Sequence, residues 1–247
     1  MTVSSTAAPA VAPPAAARRT PRRAAAALAA GLVLGVVPGV VLAGGADAAT
    51  PTTLTLRADH RTYTAGSRVV LRAHLNAADR SVTFYEKHRG VSNRTIYSGT
   101  TDAHGNVAID GSAGYTSTFT AKFAGDSTYA ASSATTRITV RVRMAIAAGG
   151  GTKHKGYRTY HQSKKATVAT AVAPSKRGHK VLFRLQERRK GHYRTLQTRR
   201  YKIGKKSAVA ITYRGVAGHR YRVRAEYAGD SLNARNHTAW TYSRFVR

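Results

Sequence analysis

The chain has no cysteine, a single tryptophan, and only ten acidic residues against forty-one lysines and arginines. The first absence excludes disulfides, thiolate metal ligands and thiol nucleophiles, and leaves the redox compartment open. The shortage of carboxylates excludes more. The paired acids of a glycoside hydrolase and the oxygen cage of a calcium site would both have to come from a few side chains, most of them in turns or on exposed edges. No Gly-x-Ser-x-Gly elbow places a serine nucleophile, and the glycines before Lys153 lack the Gly-Lys-Ser/Thr ending of a phosphate loop. The ten histidines are scattered without ligand spacing. The expectation is therefore no catalytic centre, no metal and no cofactor.

Helical periodicity is also missing, and a repeat stands in its place. Residues 123–132 read FAGDSTYAAS and residues 227–236, 104 positions later, read YAGDSLNARN. Each block follows a run of alternating apolar and polar residues, YTSTFTAKF and HRYRVRAEY, which is the period of a strand. Glycine, aspartate and serine then supply a turn: glycine tolerates positive φ, and the short polar side chains bond back to nearby backbone. Upstream of the first block, alternating runs begin at Leu54, Val69, Val82, Thr95 and Asn106, and another follows near Thr135. Seven short strands with polar turns argue for a two-sheet sandwich over 52–143. A glycine-rich linker is expected over 144–156, centred on AAGGGTKHKG, and a second copy of the scheme over 157–247.

Residues 1–48 have the layout of an export signal. Arg18, Arg19, Arg22 and Arg23 precede twenty uncharged residues, Ala24 to Ala43, and Ala46-Asp47-Ala48 meets the small-x-small requirement for cleavage before Ala49. The alternative is an uncleaved membrane anchor. The arginine pairs invite a twin-arginine reading, which the residues that follow them do not support. A secreted or cell-surface location is expected.

The positive charge is uneven. Residues 51–142 carry eleven lysines and arginines against six acids, whereas residues 143–247 carry twenty-six against three, Glu187, Glu226 and Asp230. The basic residues of the second half cluster as Lys176-Arg177 with Lys180, Arg188-Arg189-Lys190, Arg199-Arg200 with Lys202, Lys205-Lys206, and a stripe of Arg220, Arg222 and Arg224 on one face of a strand. The stripe alternates with Tyr221, Val223 and Ala225, so it is expected to face outward. Such residues on adjacent strands form a surface for a phosphate-rich polymer, held by many salt-sensitive contacts. Anionic envelope polymers, anionic lipid head groups and extracellular nucleic acid all fit, without base-specific reading, since there is no helix to enter a groove. The alternative role is a structural spacer or adhesion module that recognises a protein partner; on either reading, edge strands rich in lysine and arginine resist pairing with other copies and favour a monomer.

Phe123, Gly125, Asp126 and Tyr129, preceded by the turn Asp102-Ala103-His104-Gly105, resemble the aromatic-x-Gly-Asp-x-x-Tyr stretch of bacterial immunoglobulin-like repeat domains. The second copy keeps Tyr227, Gly229 and Asp230 but has Asn233 in the place of Tyr129. The resemblance implies an all-β chain of two tandem immunoglobulin-like β-sandwiches behind the export signal, with a spacer or adhesive role and no catalytic residues.

Overall fold

The computed structural model describes residues 48–247, and these fall within one compact unit. Of the expected export signal, all but Ala48 lies outside the described residues. The described chain is built of eighteen strands, and among the described residues there is no helix.

In the first half, β1 (Leu54–Ala58), β3 (Arg68–Leu75) and β6 (Asn106–Ser112) make a three-stranded antiparallel sheet. Its alternation turns Leu54, Leu56, Val69, Leu71, Ala73, Leu75 and Val107 to one side. They meet Val82 and Phe84 of β4 (Ser81–His88), Phe119, Ala121 and Phe123 of β7 (Ser117–Phe123), and Ile138 and Val140 of β8 (Ser132–Arg141). Each large side chain buried here contributes about 2 kcal/mol through removal of apolar surface from water. Two further strands extend this layer: β5 (Val91–Thr100) beyond β4, and β2 (Thr62–Thr64) in parallel with β8.

The second half repeats the plan. Its small sheet is β9 (Arg143–Gly149), β12 (Ala166–Ala173) and β15 (Ala208–Tyr213). The facing layer contains β10 (Thr152–His154), β11 (Tyr157–His161), β13 (Lys180–Arg189), β14 (His192–Lys202), β16 (Arg220–Gly229), β17 (Ala234–His237) and β18 (Thr241–Val246). Val168, Val172, Val181, Phe183, Val223, Ala225 and Phe245 form its core. The segment read as a linker holds β9 and β10. Met144, Ile146 and Ala148 point toward the core in strand alternation, and the chain turns at Gly150-Gly151 and again at Lys155-Gly156, all four at positive φ.

The sheet topology overturns the two tandem immunoglobulin-like sandwiches, and with them the resemblance to that family. Two closed sandwiches require each half's larger sheet to end at its own edge. Instead Ala234 of β17 pairs in parallel with Arg141 of β8, and the larger layers merge into one twelve-stranded mixed sheet flanked by two small ones. The layers are not sealed at their sides either: a cavity of about 270 Å³, lined by residues including Ile96, Ile109 and Phe119, opens between β5 and β6. The all-β class stands. The repeat repeats strands, and a local repeat cannot say whether an edge strand stops or is continued by its neighbour.

The merger is made by the repeated loop. In each copy one aspartate oxygen takes two amides: Asp126 Oδ1 accepts from Thr128 and Tyr129 at 2.8 Å each, and Asp230 Oδ1 accepts from Leu232 at 2.9 Å and Asn233 at 2.7 Å. The preceding glycines, Gly125 and Gly229, sit at φ +84° and +92°, where an added Cβ would come within 2.8 and 2.9 Å of a backbone nitrogen. The tightened loop then exposes one carbonyl to a partner. Thr128 O accepts from Thr50 N, and its counterpart Leu232 O accepts from Thr116 N of the other half, both at 2.8 Å. Asn233 is buried at this seam, donating from Nδ2 to Gly114 O at 3.0 Å and to Val140 O at 3.3 Å. Asn236 Nδ2 adds a bond to Val142 O at 2.8 Å. The departure of the second copy from the tyrosine of the first is thus a requirement of the junction.

Asn233→Tyr, which restores the repeated residue, should lower the unfolding midpoint by several degrees, the effect of about 1–3 kcal/mol in a protein of this size. Amide exchange should accelerate at Thr116 and Val142 while the first core stays protected.

Candidate functional site

The outer face of the twelve-stranded sheet in the second half is built by strand register. Along β16 the side chains of Tyr221, Val223, Ala225 and Tyr227 are buried, so Arg220, Arg222, Arg224 and Glu226 emerge on the other side. The β13 register sets Arg184 beside Arg224, Gln186 beside Arg222 and Leu182 beside Glu226. Across β13, Arg200 lies opposite Leu182 and Lys202 opposite Lys180, while β18 brings Tyr242 beside Arg222 and Arg244 beside Arg220. Seven arginines (184, 188, 200, 220, 222, 224 and 244) and two lysines (180 and 202) therefore share a face on which, among the described residues, Glu226 is the one carboxylate.

Like charges on adjacent strand positions repel, and aromatic rings do most of the answering. The Arg222 guanidinium lies between two rings, 3.9 Å from the Tyr193 centroid and 4.2 Å from that of Trp240. Arg224 lies 4.8 Å from Trp240, and Arg220 lies 5.4 Å from Tyr157. Tyr242 links the ends, its ring 5.6 Å from Tyr157 and 6.2 Å from Tyr193. Trp240 reaches this place because the strand that is continuous in the first half as β8 is broken here into β17 and β18. The Thr238 hydroxyl accepts the Ala225 amide in the break, at 3.1 Å. Burial, and after it the neighbouring Tyr157 hydroxyl, pushes the Tyr193 phenol up to about 12.

Hydrogen bonds fix the guanidinium orientations. Arg222 Nε donates to Gln186 Oε1 at 2.7 Å and Arg244 Nε to Thr159 Oγ1 at 2.9 Å. Glu226 Oε1 receives Arg224 Nε at 2.7 Å and Arg184 Nε at 3.1 Å. Partial burial alone would raise the Glu226 carboxyl, but the two guanidinium groups hold it below the usual range. A stacked guanidinium keeps its charge and its in-plane donors, so the face stays cationic while its geometry is set in advance.

The other two acids of this half face inward. Glu187, at 1 % exposure, is held by Arg189, by His219 Nδ1 at 2.5 Å and by the Tyr221 hydroxyl at 3.2 Å. Asp230 Oδ2 receives Lys176 Nζ at 2.7 Å and the Tyr227 hydroxyl at 2.8 Å. The first half has the same device in more exposed form, with Arg80 Nε 3.0 Å from Asp126 Oδ2.

The thirteen cationic residues expected from sequence to form one surface are divided by the fold. Lys180, Arg188, Arg200, Arg220, Arg222 and Arg224 share the outer face. Lys190 is at the tip of the hairpin between β13 and β14, and Arg189 is bound to Glu187. Arg199, opposite the buried Phe183, leaves on the other side, over Tyr201 at 5.5 Å. Arg177, Lys205 and Lys206 are exposed in two adjoining turns, joined by a hydrogen bond from Gly178 N to Ile203 O. Lys176, only 3 % exposed, is the counter-ion of Asp230 and faces no solvent. Sequence reasoning missed Arg184, Arg244, Tyr157, Trp240 and Tyr242. The alternation of β13 and β18 carried the signal for Arg184 and Arg244, but nothing local marks the strand break that brings Trp240 over the stripe.

Among the described residues, no three histidine, aspartate or glutamate side chains converge as a metal site would require. Compared with protein-family models and with curated proteins, the chain matches none.

Asp230→Asn keeps the amide bonds but leaves Lys176 buried without a counter-ion, and should cost about 3 kcal/mol in urea unfolding at pH 7. Asp126→Asn, at the exposed counterpart, should cost less. Burial opposes ionisation of both Asp230 and Glu187. The partners nevertheless hold both below the usual carboxylate range: Lys176, Tyr227 and two amides at Asp230, and His219, Arg189 and Tyr221 at Glu187. Their contribution to stability is complete above the unfolded-state value of about 4 and is lost as pH falls through the lower folded-state values. Stability measured from pH 6 to pH 2 should therefore drop below pH 4, and Asp230→Asn should flatten that drop.

Proposed function

We propose that this is an exported, non-enzymatic protein that binds acidic polymers at or outside the cell surface through the outer face of its second half, with the first half as spacer. The observation that carries this reading is the sheet face on which seven arginines and two lysines meet one carboxylate. A solvated surface needs no such arrangement, and two of the arginines, Arg220 and Arg222, are held by aromatic rings rather than neutralised by acids. An array of oriented, uncompensated guanidinium groups attracts a polyanion and releases its counter-ions on binding. Partners of this chemistry are anionic envelope polymers, anionic lipid head groups and extracellular nucleic acid. Binding through phosphates and other repeated anions carries no sequence preference.

The single tryptophan of the chain lies on this face and serves as the reporter. Titration of the chain with heparin or single-stranded DNA should change the Trp240 emission. The logarithm of the association constant should fall linearly with the logarithm of salt concentration, with a slope of about −3 or steeper. Arg220→Thr with Arg244→Thr should make that slope shallower. Binding insensitive to salt, or no binding at low ionic strength, would overturn the reading in favour of a spacer or adhesion module for a protein partner.

A further inference from the structure

The seam between the halves carries a second concentration of charge. Where β17 meets β8 through one pair of residues, the outer surface of the large sheet sinks into a cleft of about 690 Å³. Its walls come from both halves: Arg141 from β8, Arg235 and His237 from β17, Lys180 from β13 and Arg200 from β14. All five are exposed, and among the described residues none of the four lysine and arginine side chains lies within ion-pair distance of a carboxylate. Glu226 is the one acid in the lining, and it already receives Arg184 and Arg224. The contrast with the stacked stripe is chemical: Arg222 and Arg224 have used an Nε donor within the protein, whereas the cleft cations have not.

We propose that this cleft is the seat of a phosphate-bearing chain, gripped by Arg141, Lys180, Arg200 and Arg235 and continued along the arginine stripe. The proposal rests on the polyanion reading above and narrows it to phosphate. Guanidinium groups present paired donors that match the oxygens of a phosphate, and here three of them and an ammonium surround a concave site rather than lie on a flat face. Glu226 joins the cleft to the stripe, since it lines the one and alternates with Arg224 in the other. From Glu226 to Arg220 the strand runs about 20 Å, so an extended ligand of several phosphates spans both. Because Arg141 belongs to the first half, that half supplies part of the binding surface and is more than a spacer.

The test uses the intact chain. In one variant Arg141, Lys180, Arg200 and Arg235 become serine; in another the same number of exposed cations is removed elsewhere, at Arg57, Arg72, Lys164 and Lys165. The probes are long-chain inorganic polyphosphate, single-stranded DNA and polyglutamate. The cleft variant should lose about tenfold or more in affinity for the two phosphate chains, and its salt slope should become shallower by about three. The distant variant should keep both within a factor of about three. Equal losses in the two variants would overturn the seat while leaving general polyanion binding intact. Failure of the unmodified chain to bind any probe would overturn the reading on which the seat rests. Polyglutamate bound as tightly as polyphosphate would overturn the choice of phosphate. A third variant, Arg141→Lys, Arg200→Lys and Arg235→Lys, guards against a folding defect. It keeps every charge and should keep the salt slope, and loss of the slope there as well would assign these residues to packing and overturn the proposal.

Discussion

A carboxylate oxygen accepting two consecutive backbone amides is the interaction on which the rest of this structure depends. Asp126 and Asp230 each close a loop in this way, after a glycine whose φ no other residue adopts without strain. The second oxygen of each carboxylate is left to a cation from the turn before the next layer's strand, Arg80 or Lys176. One small side chain thereby fixes the loop internally and ties it to a distant part of its own half. The loop's outward carbonyl then becomes a docking point. In the first copy it is met by Thr50, at the entry to the fold, and in the second by Thr116 of the preceding half. The same local chemistry caps the assembly at one site and joins two halves at the other.

That junction changes what the repeat means. Residues of two similar halves would be expected to act separately, yet Asn233, Asn236 and the Ala234–Arg141 pair make a continuous sheet through both. Because an asparagine amide satisfies two buried carbonyls where the first copy has a tyrosine, the seam is specified by side chains and not by edge pairing alone. A flat continuation of one sheet into the other would leave no recess. A single parallel pair between β8 and β17 leaves one, and brings a cation of the first half beside those of the second.

Much of the strand content was legible in sequence, because period-two alternation in stretches such as 68–75 and 220–227 follows directly from burial of one sheet face. The strands that escaped were those whose pattern is masked. β9 is an alternating run that ends at the first of three consecutive glycines, and composition favoured a linker. β2 and β10 are only three residues long and are recognised by their partners, not by their own pattern. β17 hides inside the repeated loop. The outward stripe at Arg220, Arg222 and Arg224 was legible for the same reason as the core, whereas the inward turn of Lys176 was not. A lysine beside an arginine in a polar turn reads as solvated, and only the position of Asp230, fifty-four residues on, makes it a buried ion pair. Sheet closure was the expectation that failed, since whether two edges meet is decided by contacts between halves that no local pattern encodes.

The electrostatic design of the second half follows from how few acids it has. Two of its three carboxylates are turned into the protein, where each holds a cation or a histidine and is protected from screening. Had Glu187 and Asp230 faced outward, the stripe would be partly neutralised and the field over the sheet would shrink. Removing them from the surface costs desolvation, which the surrounding donors offset, and leaves aromatic faces to limit repulsion among the arginines. Tyrosine and tryptophan can order a guanidinium without cancelling its charge, which an acid cannot do. The result is a rigid cationic face whose charge is available to a ligand, and the division of labour between buried acids and exposed rings is the physical basis for reading it as a binding surface.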